Sequence, residues 1–251
     1  MNQYKGLLHV HSTYSYDGRH SISEIADFAR RRRYDFVAMT EHSDTLTPER
    51  VSVLVEECNQ ASDRSFLMIP GIEFTCENNL HLLGLGVAEY TPSRDPLAVS
   101  DFIRERGGIA VIAHPIRYQY LIRNELACRA HGIEVWNGAY DSRFVPNHRS
   151  LILLKRLRQH NASLLAYGGQ DLHRISPGFN VTALIRCTTL EPALVLRALG
   201  AGLFDISNPL IRLSARSTPG PLLSAEIIVA RVAYSVAKGI RDRLVTQGSL
   251  P

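Results

Sequence analysis

Six of the ten histidines fall at or beside the ends of short apolar runs, and carboxylates accompany them. The first group is His9-Val10-His11, with Asp17 following in the loop Tyr16-Asp17-Gly18. Residues two apart on a strand point to the same side, so both imidazoles can face one site. The second is Thr40-Glu41-His42-Ser43-Asp44, and the third is Pro70-Gly71-Ile72-Glu73-Phe74. Then come His81, opening His-Leu-Leu-Gly-Leu-Gly, and His114 in Ala-His-Pro. Gly169-Gln170-Asp171-Leu172-His173 closes the set, again with two ligand types two residues apart. A lone histidine at a strand end is more often a satisfied structural residue than a ligand. Here the coincidence recurs along the chain, always at what would be one rim of a parallel α/β fold, where such folds build their sites. Imidazoles and carboxylates without a thiolate suit Zn, Mn or Fe rather than a cysteine-rich structural zinc. Nine such side chains exceed what one tetrahedral ion takes, so the set implies a multinuclear centre.

Strand patterns cover residues 6–10, 36–40, 67–74, 80–87, 109–113, 133–136, 164–167 and 182–185. Helix patterns cover 23–33, 48–61, 96–106, 149–159 and 191–201. Apolar strands alternating with helices predict a parallel α/β architecture, and seven or eight units suggest a barrel. The short link from Glu73 to His81 reads as a direct strand-to-strand turn. Residues 212–221, rich in Ser, Pro and Arg, read as loop, and 222–245 as one amphipathic helix packed on the exterior. Arg231, Lys238, Arg241 and Arg243 suit its solvated face.

A chain of 251 residues with 45% hydrophobic and 21% charged residues can bury a substantial core. A net charge of +4 and a pI near 9.0 suit an anionic substrate. The N-terminus lacks a signal-peptide pattern, no apolar stretch is long enough to span a bilayer, and Cys58, Cys76, Cys128 and Cys187 form no C-x-x-C pair. Reduced thiols in a cytoplasmic protein are the expectation.

Together these motifs resemble the PHP (polymerase and histidinol phosphatase) superfamily, from about residue 7 to 173, with an extension toward 208. The resemblance implies a distorted (β/α)7 TIM-like barrel over 1–208, followed by a C-terminal loop and helical tail over 209–251. It implies two to three divalent transition-metal ions (Zn, Mn or Fe). His9, His11, Glu73 and Asp171 would hold one metal ion; Glu73, as a bridge, with His81 and His114 a second; Asp17, His42 and His173 a third. Glu73, Asp171 and His173 are the catalytic candidates. The family's usual Thr-Asp-His is Thr-Glu-His here, so Glu41 is read as orienting a ligand or forming an ion pair rather than as a ligand.

The implied reaction is phosphoester hydrolysis, with a metal-bound hydroxide attacking phosphorus. Arginine suits phosphate because its planar fork donates two hydrogen bonds. Arg117 follows Ala-His-Pro-Ile directly, and Arg143, Arg174 and His20 sit in other rim segments, so these four are the substrate-binding candidates. No basic stripe interleaved with aromatics lies between the motifs, so a small phosphorylated substrate is favoured. The alternative is a phosphodiesterase or exonuclease acting on nucleotides or short nucleic acids. Arg30–Arg33 are explained by the negative end of a helix dipole.

Overall fold

The computed structural model describes the backbone of residues 1–247 and the side chains of residues 1–240, so the side chains of Arg241 and Arg243 lie outside the described residues. Twelve strands are described: β1 (Asn2–Val10), β2 (Phe36–Met39), β3 (Glu41–His42), β4 (Leu67–Ile69), β5 (Gly71–Thr75), β6 (His81–Leu85), β7 (Ile109–Ile112), β8 (Gly132–Asn137), β9 (Leu165–Gly169), β10 (Thr182–Cys187), β11 (Phe204–Ser207) and β12 (Arg212–Ser214). The α-helices are α1 (Ile22–Arg31), α2 (Pro48–Gln60), α3 (Pro96–Glu105), α4 (Asn124–Arg129), α5 (His148–Leu157), α6 (Pro192–Gly200) and α7 (Pro221–Gln247).

Local chemistry starts the helices where the sequence suggests. Ser21 and Glu24 form a capping box at α1, satisfying backbone donors the helix cannot satisfy itself. Thr47 caps α2 ahead of Pro48, and Asp95 caps α3 ahead of Pro96. Proline at the first helical position loses nothing, because that N–H has no helical partner.

The strands form two six-stranded sheets, ordered β12-β11-β10-β1-β2-β4 and β3-β5-β6-β7-β8-β9. The chain crosses between them twice without turning: at Thr40, between β2 and β3, and at Pro70, between β4 and β5. Proline has no N–H for the ladder, which is why the run 67–74 divides there. On the other side the segment after β9 hydrogen-bonds to β1: Gln170 N–H to Leu8 O at 2.8 Å, Leu172 N–H to His9 O at 3.1 Å and His11 N–H to Leu172 O at 2.9 Å. With β2/β3 and β4/β5 each counted as one interrupted strand, these bonds join the last to the first of seven: β1, β2/β3, β4/β5, β6, β7, β8 and β9. This is the distorted barrel of the sequence reading.

The direct strand-to-strand turn read between Glu73 and His81 makes one strand of the otherwise parallel series antiparallel. β6 runs antiparallel to both β5 and β7. The link from Thr75 to His81 is too short for the helical crossover that parallel neighbours require. β10, β11 and β12 extend the sheet beyond β1 as antiparallel strands. The segment read as loop from 212 therefore begins as a strand, and β11 and α4 carried no pattern that the sequence reading used.

Leu7 and Leu8 point to opposite faces of β1, and a register shift between Leu8 and Val10 returns Val10 to the Leu7 side, so the strand serves two cores. Leu8 joins the large cluster with Trp136, Tyr167 and Phe204, while Leu7 and Val10 join the smaller one beneath α1 and α2. α7 is anchored through Ile227, which is fully buried, with Leu223 and Ala230 packed beside it. Cys58, Cys76 and Cys187 are buried thiols, and Cys128 is exposed.

Candidate metal centre

All nine ligand-type residues meet at one end of the barrel. Seven of them are nearly inaccessible: His9, His11, Glu73, His114, His81, His42 and Asp171 are each 6% exposed or less. Asp17 and His173 stand at the opening. Burying so many ionisable groups is expensive unless each is paired or bound to an ion.

Glu73 lies at the centre. Its Oε1 is 2.7 Å from His81 Nδ1 and 2.9 Å from His114 Nε2, and its Oε2 is 3.0 Å from His42 Nδ1. Burial pushes the Glu73 carboxyl up, but His9 and the hydrogen-bonded imidazoles of His114, His42 and His81 outweigh it and hold the group well below the usual carboxylate range. For His9, burial pulls the imidazole down, and the carboxylates of Asp171, Glu134 and Glu73 more than reverse that, holding it well above its ordinary value. Burial holds His11 well below its ordinary value, despite Glu73.

The spacing of the remaining contacts tests whether these residues fit metal ions. His9 Nε2 and His11 Nε2 have no hydrogen-bond partner, although both are buried. His9 Nε2 is 3.5 Å from both Glu73 Oε2 and Asp171 Oδ1, and His11 Nε2 is 3.4 and 3.6 Å from the same two oxygens. These distances are too long for good hydrogen bonds. They match the edge of a tetrahedron, roughly 3.3–3.4 Å, for ligands about 2.0–2.1 Å from one ion. A second set repeats the pattern at the opening. His42 Nε2 is 3.4 Å from Asp17 Oδ1, His173 Nε2 is 3.2 Å from Asp17 Oδ2, and the two imidazole nitrogens are 3.5 Å apart. The contacts of His81 and His114 with Glu73 Oε1 have hydrogen-bond lengths instead. The residues present thus fit divalent metal, and two of the three expected ligand sets already carry metal-like spacing.

Backbone irregularity aims several of these groups. The β1–β2 register shifts between Leu8 and Val10, so His9 occupies a bulge, which re-aims a side chain. His9, His114 and Asp171 have positive φ values of 61°, 23° and 51°. Non-glycine residues adopt that region at a cost, and such strain concentrates at functional sites. Gly169 is needed for a different reason: a Cβ there would come within 1.9 Å of Glu134 Oε1 and 2.7 Å of the His9 Cβ.

Sequence reasoning missed Glu134. Its Oε1 lies 2.9 Å from His9 Nδ1, and its Oε2 accepts from the backbone N–H of His114 at 2.8 Å and from Asn137 Nδ2 at 3.0 Å. A carboxylate bonded to one ring nitrogen fixes the tautomer and turns the other nitrogen toward the cluster. The available signal was a charged residue in the middle of Ile-Glu-Val-Trp-Asn. Tyr118 also had no role at the metal centre in the sequence reading, yet its hydroxyl accepts from the His81 N–H at 2.7 Å and lies 3.2 Å from His114 Nδ1.

Glu41 is fully buried and takes hydrogen bonds from the Ser12 N–H, the Ser12 hydroxyl and the Ser15 hydroxyl at 2.9, 2.7 and 2.6 Å. Ser15 Oγ in turn accepts from the His42 N–H and sits 3.1 Å from His11 Nδ1. Burial pushes the Glu41 carboxyl up against these bonds. Glu41 therefore braces the loop between two histidines and makes no ion pair among the described residues. Asp44 accepts from the Thr75 hydroxyl at 2.6 Å, and Trp136 is a core residue whose indole N–H bonds Ser142 O.

The four substrate-binding candidates fare differently. Arg117 is exposed at the rim and reaches the Tyr140 hydroxyl at 3.2 Å; the Tyr140 ring centre lies 4.8 Å from that of His114. Arg143 is turned to the Ser176 hydroxyl at 2.6 Å. Arg174 is exposed, and His20 lies 4.0 Å from Glu24. Tyr16 is exposed and stacked on His42, with ring centres 4.9 Å apart.

The model of the PHP domain family matches residues 8–166. Over 111 residues, 41% of this chain, the sequence is 32% identical to the DNA polymerase/3'-5' exonuclease PolX of Bacillus subtilis, and the match takes in 18% of that protein. A two-domain protein of Bacteroides vulgatus described as containing a predicted PHP-like metal-dependent phosphoesterase superposes with a TM-score of 0.57 at 17% identity, over 82% of this chain and 65% of that one. PsfC of Pseudomonas syringae superposes with a TM-score of 0.57 at 16% identity, over 94% of this chain and 99% of that one. At these identities the two solved structures show a shared fold.

Proposed function

Because the chain belongs to the PHP domain family, we propose that it is a metal-dependent hydrolase of phosphate esters whose substrate is a small phosphorylated molecule. The observation that carries the reading is the convergence of imidazole nitrogens and carboxylate oxygens at 3.2–3.6 Å, with His9 Nε2 and His11 Nε2 otherwise unpartnered. His9, His11, Glu73 and Asp171 would hold one ion, and Asp17, His42 and His173 another. A further ion between Glu73, His81 and His114 would displace the present hydrogen bonds. Bound Zn, Mn or Fe supplies Lewis acidity, which lowers the pKa of a coordinated water toward about 7 and offsets charge on phosphoryl oxygens.

The remaining roles belong to the chain itself. Glu73 hydrogen-bonds His42, His81 and His114 and lies 3.4–3.5 Å from His9 and His11, so one carboxylate sets the relative positions of five histidines. The backbone carbonyl oxygen of Asp171, 3.2 Å from His173 Nδ1, orients that ring, while the Asp171 carboxylate faces His9 and His11. His173 and Asp17 stand at the opening, where the ligand set they form with His42 faces an entering substrate. Arg117 is placed to meet a phosphoryl oxygen from the rim, ahead of Arg143, Arg174 and His20. A cavity of about 450 Å³ adjoins Arg117 and Tyr118, and none of the nine ligand-type residues lines it. We take residues 1–208 as the catalytic unit and 209–240 as a segment packed on it; the remainder of the expected tail, to 251, lies outside the described side chains.

A second reading, phosphodiester or exonuclease activity on nucleotides or short strands, draws on the sequence likeness to PolX. A panel of phosphomonoesters, nucleotides and oligonucleotides, assayed after reconstitution with Zn, Mn or Fe, separates the two. Turnover of small monoesters is expected. Processive digestion of long single strands without activity on small phosphates would move the assignment to a nuclease. Elemental analysis should find two to three ions per chain; one or fewer after reconstitution rules out the multinuclear centre.

A further inference from the structure

A second concentration of charge lies away from the metal centre. A cavity of about 500 Å³ opens where the end of α1 meets the sheet of β1, β10 and β11. Lys5, Arg31, Arg32 and Arg33 line it, and no carboxylate does. Asn180, Thr182, Ser207 and Asn208 add neutral hydrogen-bonding groups. Lys5 precedes His9 on β1 by four residues, roughly 13 Å along a strand, and none of the nine ligand-type residues lines this cavity.

The helix dipole accounts for cations at the end of α1. It does not account for Lys5, which a different element brings to the same place. Nor does it account for Asn180, whose side chain is buried at 3% exposure. The Asn180 amide nitrogen donates to the Tyr34 hydroxyl at 2.9 Å, while Oδ1 has no partner. A buried amide oxygen is costly to leave unpaired, so a native one calls for a donor from outside the chain. The Lys5 ammonium, 4.9 Å from the centre of the Tyr34 ring, is held below its ordinary value by burial and by Arg32, with Asp35 opposing. An anion would relieve that repulsion.

We propose that this groove binds a small phosphorylated polyol, with its phosphate held by Lys5 and the arginines and a hydroxyl donated to Asn180 Oδ1. Several cations without a lining carboxylate select a multiply charged anion, and phosphate matches the guanidinium fork. The neutral groups select hydroxyls. The volume is that of a small-molecule site, whereas a nucleic-acid strand needs a longer track of cations and stacking aromatics.

Calorimetric titration of ribose 5-phosphate into the chelator-treated full chain tests the site without metal-borne phosphate binding. Saturable binding is expected, with none for ribose. The Arg31→Glu/Arg33→Glu double variant should weaken it at least about tenfold, the scale of one or more charge-assisted bonds. Asn180→Ala should weaken ribose 5-phosphate while leaving inorganic phosphate unchanged. Both arginines are exposed, so charge reversal preserves the fold and decides the matter alone if Asn180→Ala is unstable. Unchanged affinity in the double variant, no binding to the parent chain, or tighter binding of a short single-stranded DNA than of ribose 5-phosphate would each overturn the proposal.

Discussion

The metal end of the barrel and the helix α7 break the usual partition of side chains in opposite directions. At the barrel end, histidines and carboxylates are buried; on α7, Val229, Val232, Val236 and Ile240 are more than half exposed. The two departures do not weigh equally. Exposed apolar residues are ordinary on protein surfaces, whereas a buried ionisable group must be paired, neutralised or bound to an ion. The barrel end therefore constrains function closely, and the helix constrains it hardly at all. Both are held by contacts from elsewhere in the chain: His9 by Glu134, and α7 by Ile227 and by the bond from Arg231 Nη1 to Asp141 O at 2.7 Å.

The largest test of that contrast is Glu73→Gln. It should abolish hydrolysis and bring metal content below that of the parent chain, because one carboxylate serves five imidazoles. Activity assays paired with elemental analysis check both; mild effects on both would mean that the centre lies elsewhere. Metal removal comes next. A ligand at a hundred times its Kd stabilises a fold by about 2.7 kcal/mol, so chelation should lower Tm by several degrees, reversibly on adding metal. An unchanged melting curve would mean that the buried cluster is satisfied without ions.

Glu134→Gln should weaken metal binding or turnover by roughly tenfold to a hundredfold, the scale of groups that orient a ligand. Glu41→Gln, acting through Ser12 and Ser15, should leave measurable activity; equilibrium metal titration ranks the two. Arg117→Ala should lower kcat/KM by roughly tenfold to a hundredfold on the best small substrate, the scale of one or two charge-assisted hydrogen bonds, with metal content unchanged. On α7 the effects should fall on stability alone. Ile227→Ala should cost about 2–5 kcal/mol and Val232→Ala within about 0.5 kcal/mol, as read by denaturant unfolding. A large loss from Val232→Ala would show that this face is covered in solution.

Much of the site was legible in the sequence because its residues sit at local landmarks. His9, His42, Glu73, His114 and Asp171 lie within or just beyond strands, and strand ends can be read from short apolar runs and the turn residues after them. The direct link from β5 to β6 was equally local. Less of the strand pairing was legible. β11 and β12 are short, and their placement beside β10 depends on antiparallel pairing that alternation and composition do not report. Glu41 was noticed as a departure from the family pattern, but its three hydrogen bonds to Ser12 and Ser15 follow from β2/β3 lying against β1.

Taken alone, the sequence determined the chemistry: nine side chains that can bind divalent metal, without a thiolate, at the ends of α/β elements. Residue type and position relative to a strand are properties of a few neighbouring residues. The family resemblance implied how those nine divide among ions; the tertiary structure decided what holds them in place. It set His9 and His11 against Glu73 and Asp171, and His42 and His173 against Asp17. It also placed Glu134 behind His9 across 125 residues of chain. Such contacts depend on barrel register, on the bulge at His9 and on the space left by Gly169, and these are fixed only when strands distant in sequence pack together.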